Sequence, residues 1–162
     1  MGDEVVVHEP GSGRSTWAMQ SLFEHLLEPG QSSLLGVALV TQPPGVATPL
    51  HRHTREAEAC YVLDGAVSYQ AGDEVFELHG GCFIHLPRDV PHAFRIRGDR
   101  PARLLVITAP SGLLHLYDEV GMPATERRLP GDDGLSVEDE IARWMEIGPR
   151  YGLELLGPPI PE

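Results

Sequence analysis

Between positions 15 and 108 the chain alternates apolar and polar residues in short runs separated by turn residues. Alternation with period two marks a strand, because successive side chains point to opposite faces. The clearest runs are 58–63, 66–70, 75–78, 82–86, 92–96 and 102–108, divided by Asp64-Gly65, Ala71-Gly72-Asp73, Gly80-Gly81, 87–91 and 97–101. Two weaker runs, 15–20 and 22–27, are anchored by Trp17 and Phe23. Residues 33–41, SLLGVALVT, are apolar on both faces, which predicts a strand covered on both sides. Short, evenly spaced strands predict an all-β fold, a small antiparallel β-barrel or jelly roll.

After Pro110 the period changes to that of helices. Residues 113–120 and 137–147 are read as helical, the second capped by Ser136 and stopped by Pro149. Its apolar stripe, Val137, Ile141, Trp144 and Met145, predicts a helix packed on an outer face of the barrel in preference to a lid over its mouth. The resulting division is a loose N-terminus at 1–14, a barrel at 15–110 and a helical extension at 111–162, whose apolar tail from Tyr151 is expected to dock on the barrel.

The chemistry concentrates between Gly45 and Gly65. His51 and His53, two apart on a strand, present both imidazoles to the same side. Glu58 opens the next alternation, which is read as half of a hairpin turning at Asp64-Gly65, and His92 begins a later strand. Three imidazoles and one carboxylate can hold a divalent transition metal and leave positions open for water or substrate. A lone His-x-His pair is weak; the whole spacing is specific. If Glu58 points inward, so do Cys60 and Val62, and hairpin pairing aligns Val67 with Val62 and Tyr69 with Cys60. His92 carries Phe94 and Ile96 inward in the same way. Tyr69 and Phe76 are candidate aromatic walls, and Tyr69, Phe94 and Ile96 divide evenly between pocket wall and plain core. His85 is a candidate support behind the ligands, whereas His8, His25, His79 and His115 are read as ordinary surface or core positions.

Gly45, His51, His53, Glu58 and Gly65 match the first motif of the cupin superfamily, G-x5-H-x-H-x3,4-E-x6-G, at every fixed position. Gly81, Pro87 and His92 match the second, in which Asp89 replaces a glycine and Ile96 an asparagine. The chain therefore resembles the cupins, and its barrel-then-helix layout resembles small bacterial proteins related to quercetin 2,3-dioxygenase. That resemblance implies one metal ion per chain (nickel, iron, manganese, cobalt or zinc) on His51, His53, His92 and Glu58, with Glu58 as ligand or base. It implies a dioxygenase reaction on an aromatic or enolisable small molecule such as a flavonol. A non-redox isomerase, cyclase or lyase, or a binding protein without turnover, fits the same ligand set.

Composition narrows the remainder. The chain of 162 residues has a formal charge of −12, which disfavours a nucleic-acid partner. It contains no lysine and no asparagine, which excludes Schiff-base, P-loop and Cys-His-Asn chemistry. Cys60 and Cys82 lie in apolar runs and are read as buried thiols, in keeping with a cytoplasmic protein. No apolar run approaches membrane-spanning length. Tyr61 and Leu63 alternate with the inward residues and, with the 33–41 strand, predict a homodimer through the outer face of the barrel. Sedimentation at tens of micromolar, on the order of common assay concentrations, is expected to give a dimer; a monomer there contradicts the reading.

Overall fold

The computed structural model describes residues 5–162; residues 1–4 of the stretch expected to be loose lie outside the described residues. Ten strands come first: β1 (Ser15–Ala18), β2 (Ser21–Leu27), β3 (Gly36–Gln42), β4 (Pro49–His53), β5 (Ala57–Asp64), β6 (Ala66–Ala71), β7 (Glu74–His79), β8 (Phe83–Leu86), β9 (His92–Arg97) and β10 (Ala102–Ala109). Helix α1 (Leu113–Val120), a two-residue strand β11 (Met122–Pro123), helix α2 (Val137–Ile147), a 3-10 turn and strand β12 (Leu153–Pro159) follow. The strands form two antiparallel sheets, ordered β11-β1-β2-β3-β10-β5-β8 and β12-β4-β9-β6-β7. Their facing surfaces bury Val40, Cys60, Val62, Val67, Tyr69, Ile96 and Leu104, so period two assigns the inward residues correctly.

Strand pairing differs from expectation at one decisive place. Asp64-Gly65 is not a hairpin turn, because β5 pairs with β10 and β8 in the large sheet while β6 pairs with β7 and β9 in the small one. Gly65 turns this corner with φ of +91°, and a Cβ there would lie 2.7 Å from Ala102 Cα, so the chain can cross between sheets only at a glycine. Consequently β4 and β5 also lie in opposite sheets, and their side chains meet across the interior.

Further readings change as well. The outward residues of β3, Val37, Leu39 and Thr41, are only half-buried. The 124–135 segment covers the neighbouring strands instead: the Trp17 indole donates to the Arg128 carbonyl at 2.8 Å, and Arg127 pairs with Glu24. The α2 stripe faces solvent, with Val137, Ile141 and Met145 exposed; the helix buries Glu140 and Ile147 and packs Trp144 near Tyr117, with ring centroids 5.9 Å apart. Its Ser136 cap is present and accepts from the Asp139 amide at 3.1 Å. Finally, the C-terminal tail is a strand rather than helical. β12 pairs with β4 and tolerates Pro158 and Pro159 because it is a sheet edge. Cys60 is buried but Cys82 is only partly so, being at the entry to edge strand β8. Among the described residues no helix is long and apolar enough to cross a membrane.

The end of α1 fits tightly on β1. A Cβ on Gly121 would meet the Trp17 carbonyl oxygen and lie 2.9 Å from Ala18 Cβ. Gly121→Ala is expected to cost about 1–3 kcal/mol, the range for overpacking a filled site, measured by denaturant unfolding.

Candidate metal centre

Each histidine arrives from the small sheet. His51 and His53 stand on the inward face of β4, and His92, first residue of β9, is the direct cross-strand partner of His51. All three are buried, and one ring nitrogen from each lies within 4.8 Å of the others. Glu58 reaches in from β5 on the opposite sheet, its Oε2 3.5 Å from His53 Nε2. Edge strand β12 holds β4 in place, pairing Leu153 with His53 and Leu155 with His51.

The nitrogen chemistry fits a cation. Nδ1 of His51 donates to the Pro49 carbonyl at 2.7 Å, and Nδ1 of His92 to the Val90 carbonyl at 2.9 Å. A carbonyl only accepts, so both rings carry their proton on Nδ1 and present a bare Nε2, as a metal ligand requires. His92 Nε2 and both ring nitrogens of His53 are buried without any hydrogen-bond partner. Burial, reinforced by the neighbouring imidazoles, lowers the His51 pKa to about 3, and burial also lowers that of His92. At neutral pH these rings are neutral ligands. Burial alone would raise the Glu58 carboxyl, but contact with His53 and the imidazole cluster outweigh it and hold the group below its ordinary value. The set therefore offers three imidazole nitrogens and one carboxylate, a fit to a divalent transition ion.

Glu58 also faces a small, partly open cavity of about 20 Å³, whose lining includes Met19, Gln42, Tyr69, Phe94 and Tyr117. Tyr69 and Phe94 thus stand where a pocket wall was expected, 5.6 Å apart between ring centroids. Ile96 is core beside Val67 and does not reach the cavity. Phe76 pairs with Tyr69 in register but sits on edge strand β7, 40% exposed and outside the cavity. His85 is exposed on the outer face opposite Ala59, so it supports no ligand. A larger open groove, about 430 Å³, lies between α2 and β12; no histidine lines either space, and of the four candidate ligands Glu58 alone lines the smaller one.

Several residues escaped the sequence reading. Glu56 shares the Glu58 side of the chain, is buried with Oε2 unpartnered, and is raised by that burial; its two-residue spacing from Glu58 was the available signal. Gln42 closes the inward series of β3 with a buried, unpartnered amide oxygen. Tyr117 and Met19 come from α1 and the β1–β2 turn, and no periodicity links them to the site. His25, read as an ordinary surface or core position, is a core residue that contacts Thr16 Oγ1 at 3.0 Å and Asp118 at 3.4 Å, away from the cluster.

Residues 38–108, which include every candidate ligand, match the Cupin domain family. This chain is a cupin. Among curated proteins it is similar to quercetin 2,3-dioxygenase of Bacillus subtilis, 32% identical over 90 residues, covering 56% of this chain and 26% of that protein. It thus spans about a quarter of the dioxygenase's length. An uncharacterized protein of Methanocaldococcus jannaschii is 32% identical over 94 residues, covering 56% of this chain and 74% of the relative. Among solved structures it is similar to a sugar phosphate isomerase of the cupin superfamily from Silicibacter pomeroyi, at TM-score 0.50 and 28% identity over 56% of this chain and 59% of that one.

Removal of any one imidazole should leave a folded cupin that binds metal weakly. His92→Ala is expected to keep its circular dichroism spectrum and lose metal on dialysis against a chelator; full occupancy would sink the three-histidine assignment.

Proposed function

We propose that this cupin is a metal-dependent enzyme that takes a small phenolic or enolic molecule by its oxygen and, like the quercetin 2,3-dioxygenase it resembles, presents it to dioxygen. The observation that carries the reading is the clustering of three buried imidazoles beside a carboxylate that faces a small cavity. His51, His53 and His92 would hold the ion, with Glu58 as a further ligand or as base. A divalent cation in that position lowers the pKa of a hydroxyl bound to it.

The chain's own groups do the rest. Glu58, held ionised, accepts the hydroxyl proton on Oε1 or Oε2. Tyr69 and Phe94 supply apolar walls that exclude water, and Gln42 offers an acceptor to a second donor on the substrate. A non-redox isomerase or lyase acting on the same kind of bound anion is the second reading. It is favoured by the similarity to a sugar phosphate isomerase and by the cavity's size, which is well below that of a flavonol.

An oxygen electrode separates the two: with a turned-over phenolic substrate the dioxygenase reading expects one dioxygen consumed per product, and product without oxygen uptake supports the second. Glu58→Gln keeps size and an oxygen donor but removes basicity. It should retain most of its metal yet lose turnover by about a hundredfold or more, the range for a positioned general base. A Gln variant with metal and a near-normal rate would remove Glu58 from that role.

A further inference from the structure

Among the side chains lining the interior cavity, Met19 alone is not buried; it packs on the core and also reaches solvent. It therefore stands where the cavity meets the outside. The cavity of about 20 Å³ has room for roughly one water, whereas about 150 Å³ is needed to take a benzene ring. An aromatic ligand can approach Glu58 from within only if a wall moves. Most walls cannot move singly. Phe23, Val40, Tyr69, Phe94 and Leu104 stand on strands hydrogen-bonded within the two sheets, and Tyr117 of α1 stacks on Phe23 with ring centroids 4.5 Å apart.

Met19 stands on different ground. Met19 and Gln20 form the two-residue turn between paired Ala18 and Ser21, and both have left-handed backbone, with φ of 54° and 56°. Glycine or asparagine is the usual occupant of such positions, and strain of this kind persists only where the surroundings enforce it. Here the enforcement is visible. The buried Glu140 carboxylate of α2 accepts from the Gln20 amide at 3.0 Å and from Gln20 Nε2 at 3.1 Å, and Gln20 Nε2 also donates to the Leu135 carbonyl at 3.1 Å. Consecutive left-handed residues turn their amides to one side, a shape that suits a carboxylate. Gln20 is itself partly exposed, so its groups can exchange Glu140 for water when the turn swings out.

We propose that Met19 is the plug of the substrate cavity and the residue that sets the size of ligand admitted, with Glu140 as the latch that holds it shut. The size-selecting role rests on the phenolic reading of the site; the plug and latch rest on the turn alone. α2, which covers no mouth of the barrel, then acts on access through one carboxylate.

The test compares wild type, Met19→Ala, Met19→Leu and Glu140→Gln as full-length, metal-loaded proteins, each checked for folding by circular dichroism. The probes are 4-nitrocatechol, quercetin and benzene. Met19→Ala should bind quercetin at least about tenfold more tightly than wild type, the scale of effect of a methylene or two in a pocket, with 4-nitrocatechol changed much less. Met19→Leu should stay near wild type. Benzene should enter Glu140→Gln and not wild type; that substitution adds no volume to the cavity, so uptake reports release of the turn. If neither phenol binds any variant while benzene uptake follows this pattern, plug and latch stand and the phenolic reading falls. Overturning the proposal takes measurable quercetin binding that Met19→Ala leaves unaffected, or benzene excluded equally by Glu140→Gln and wild type.

Discussion

The structure depends on a burial problem at the meeting of its two sheets. Three imidazoles and a carboxylate lie in the interior, and three of the imidazole nitrogens have no partner. An orphaned buried polar atom costs about 1–3 kcal/mol, so the arrangement is expensive for protein alone and inexpensive around a cation. The small sheet supplies all three imidazoles on adjacent strands, and the large sheet supplies the carboxylate from the other side. Carbonyls of Pro49 and Val90 take up Nδ1 on two rings and thereby aim Nε2 inward. The C-terminal β12 matters to this site because it closes the edge beside β4.

Much of the site could be read from the chain because its signal is local. Period two fixes which of His51, Arg52 and His53 face inward, and the spacing to Glu58 and His92 does not depend on which strands pair. Pairing is a non-local property, and there the reading failed. Asp64-Gly65 has the chemistry of a tight hairpin, yet the same positive φ also serves a corner between sheets. β12 was hidden by Gly157, Pro158 and Pro159, which end a strand anywhere but at an edge. The α2 stripe misled because apolar periodicity does not record what the partner surface needs. The β1–β2 turn needs an acceptor for its amides, so Glu140 is turned inward and Val137, Ile141 and Met145 are left in solvent.

The same features connect fold to function. A cavity with room for about one water beside the carboxylate means that chemistry on anything larger is coupled to motion, and the strained turn is the wall built to move. The helical extension, which has no residue in the metal cluster, reaches the site through that turn and through Tyr117 of α1. Under the proposed function, substrate choice would be divided between a site that selects an oxygen anion and a wall that selects size.

His51, His53 and His92 are expected to bind one transition ion together. X-ray absorption at the metal edge of the full-length protein, loaded with one equivalent of a divalent ion, tests it most directly. The account predicts nitrogen or oxygen ligands at roughly 2.0–2.2 Å, with outer-ring scattering that fits three imidazoles and falls to two in His92→Ala. A spectrum without imidazole scattering, or one that His92→Ala leaves unchanged, would contradict it.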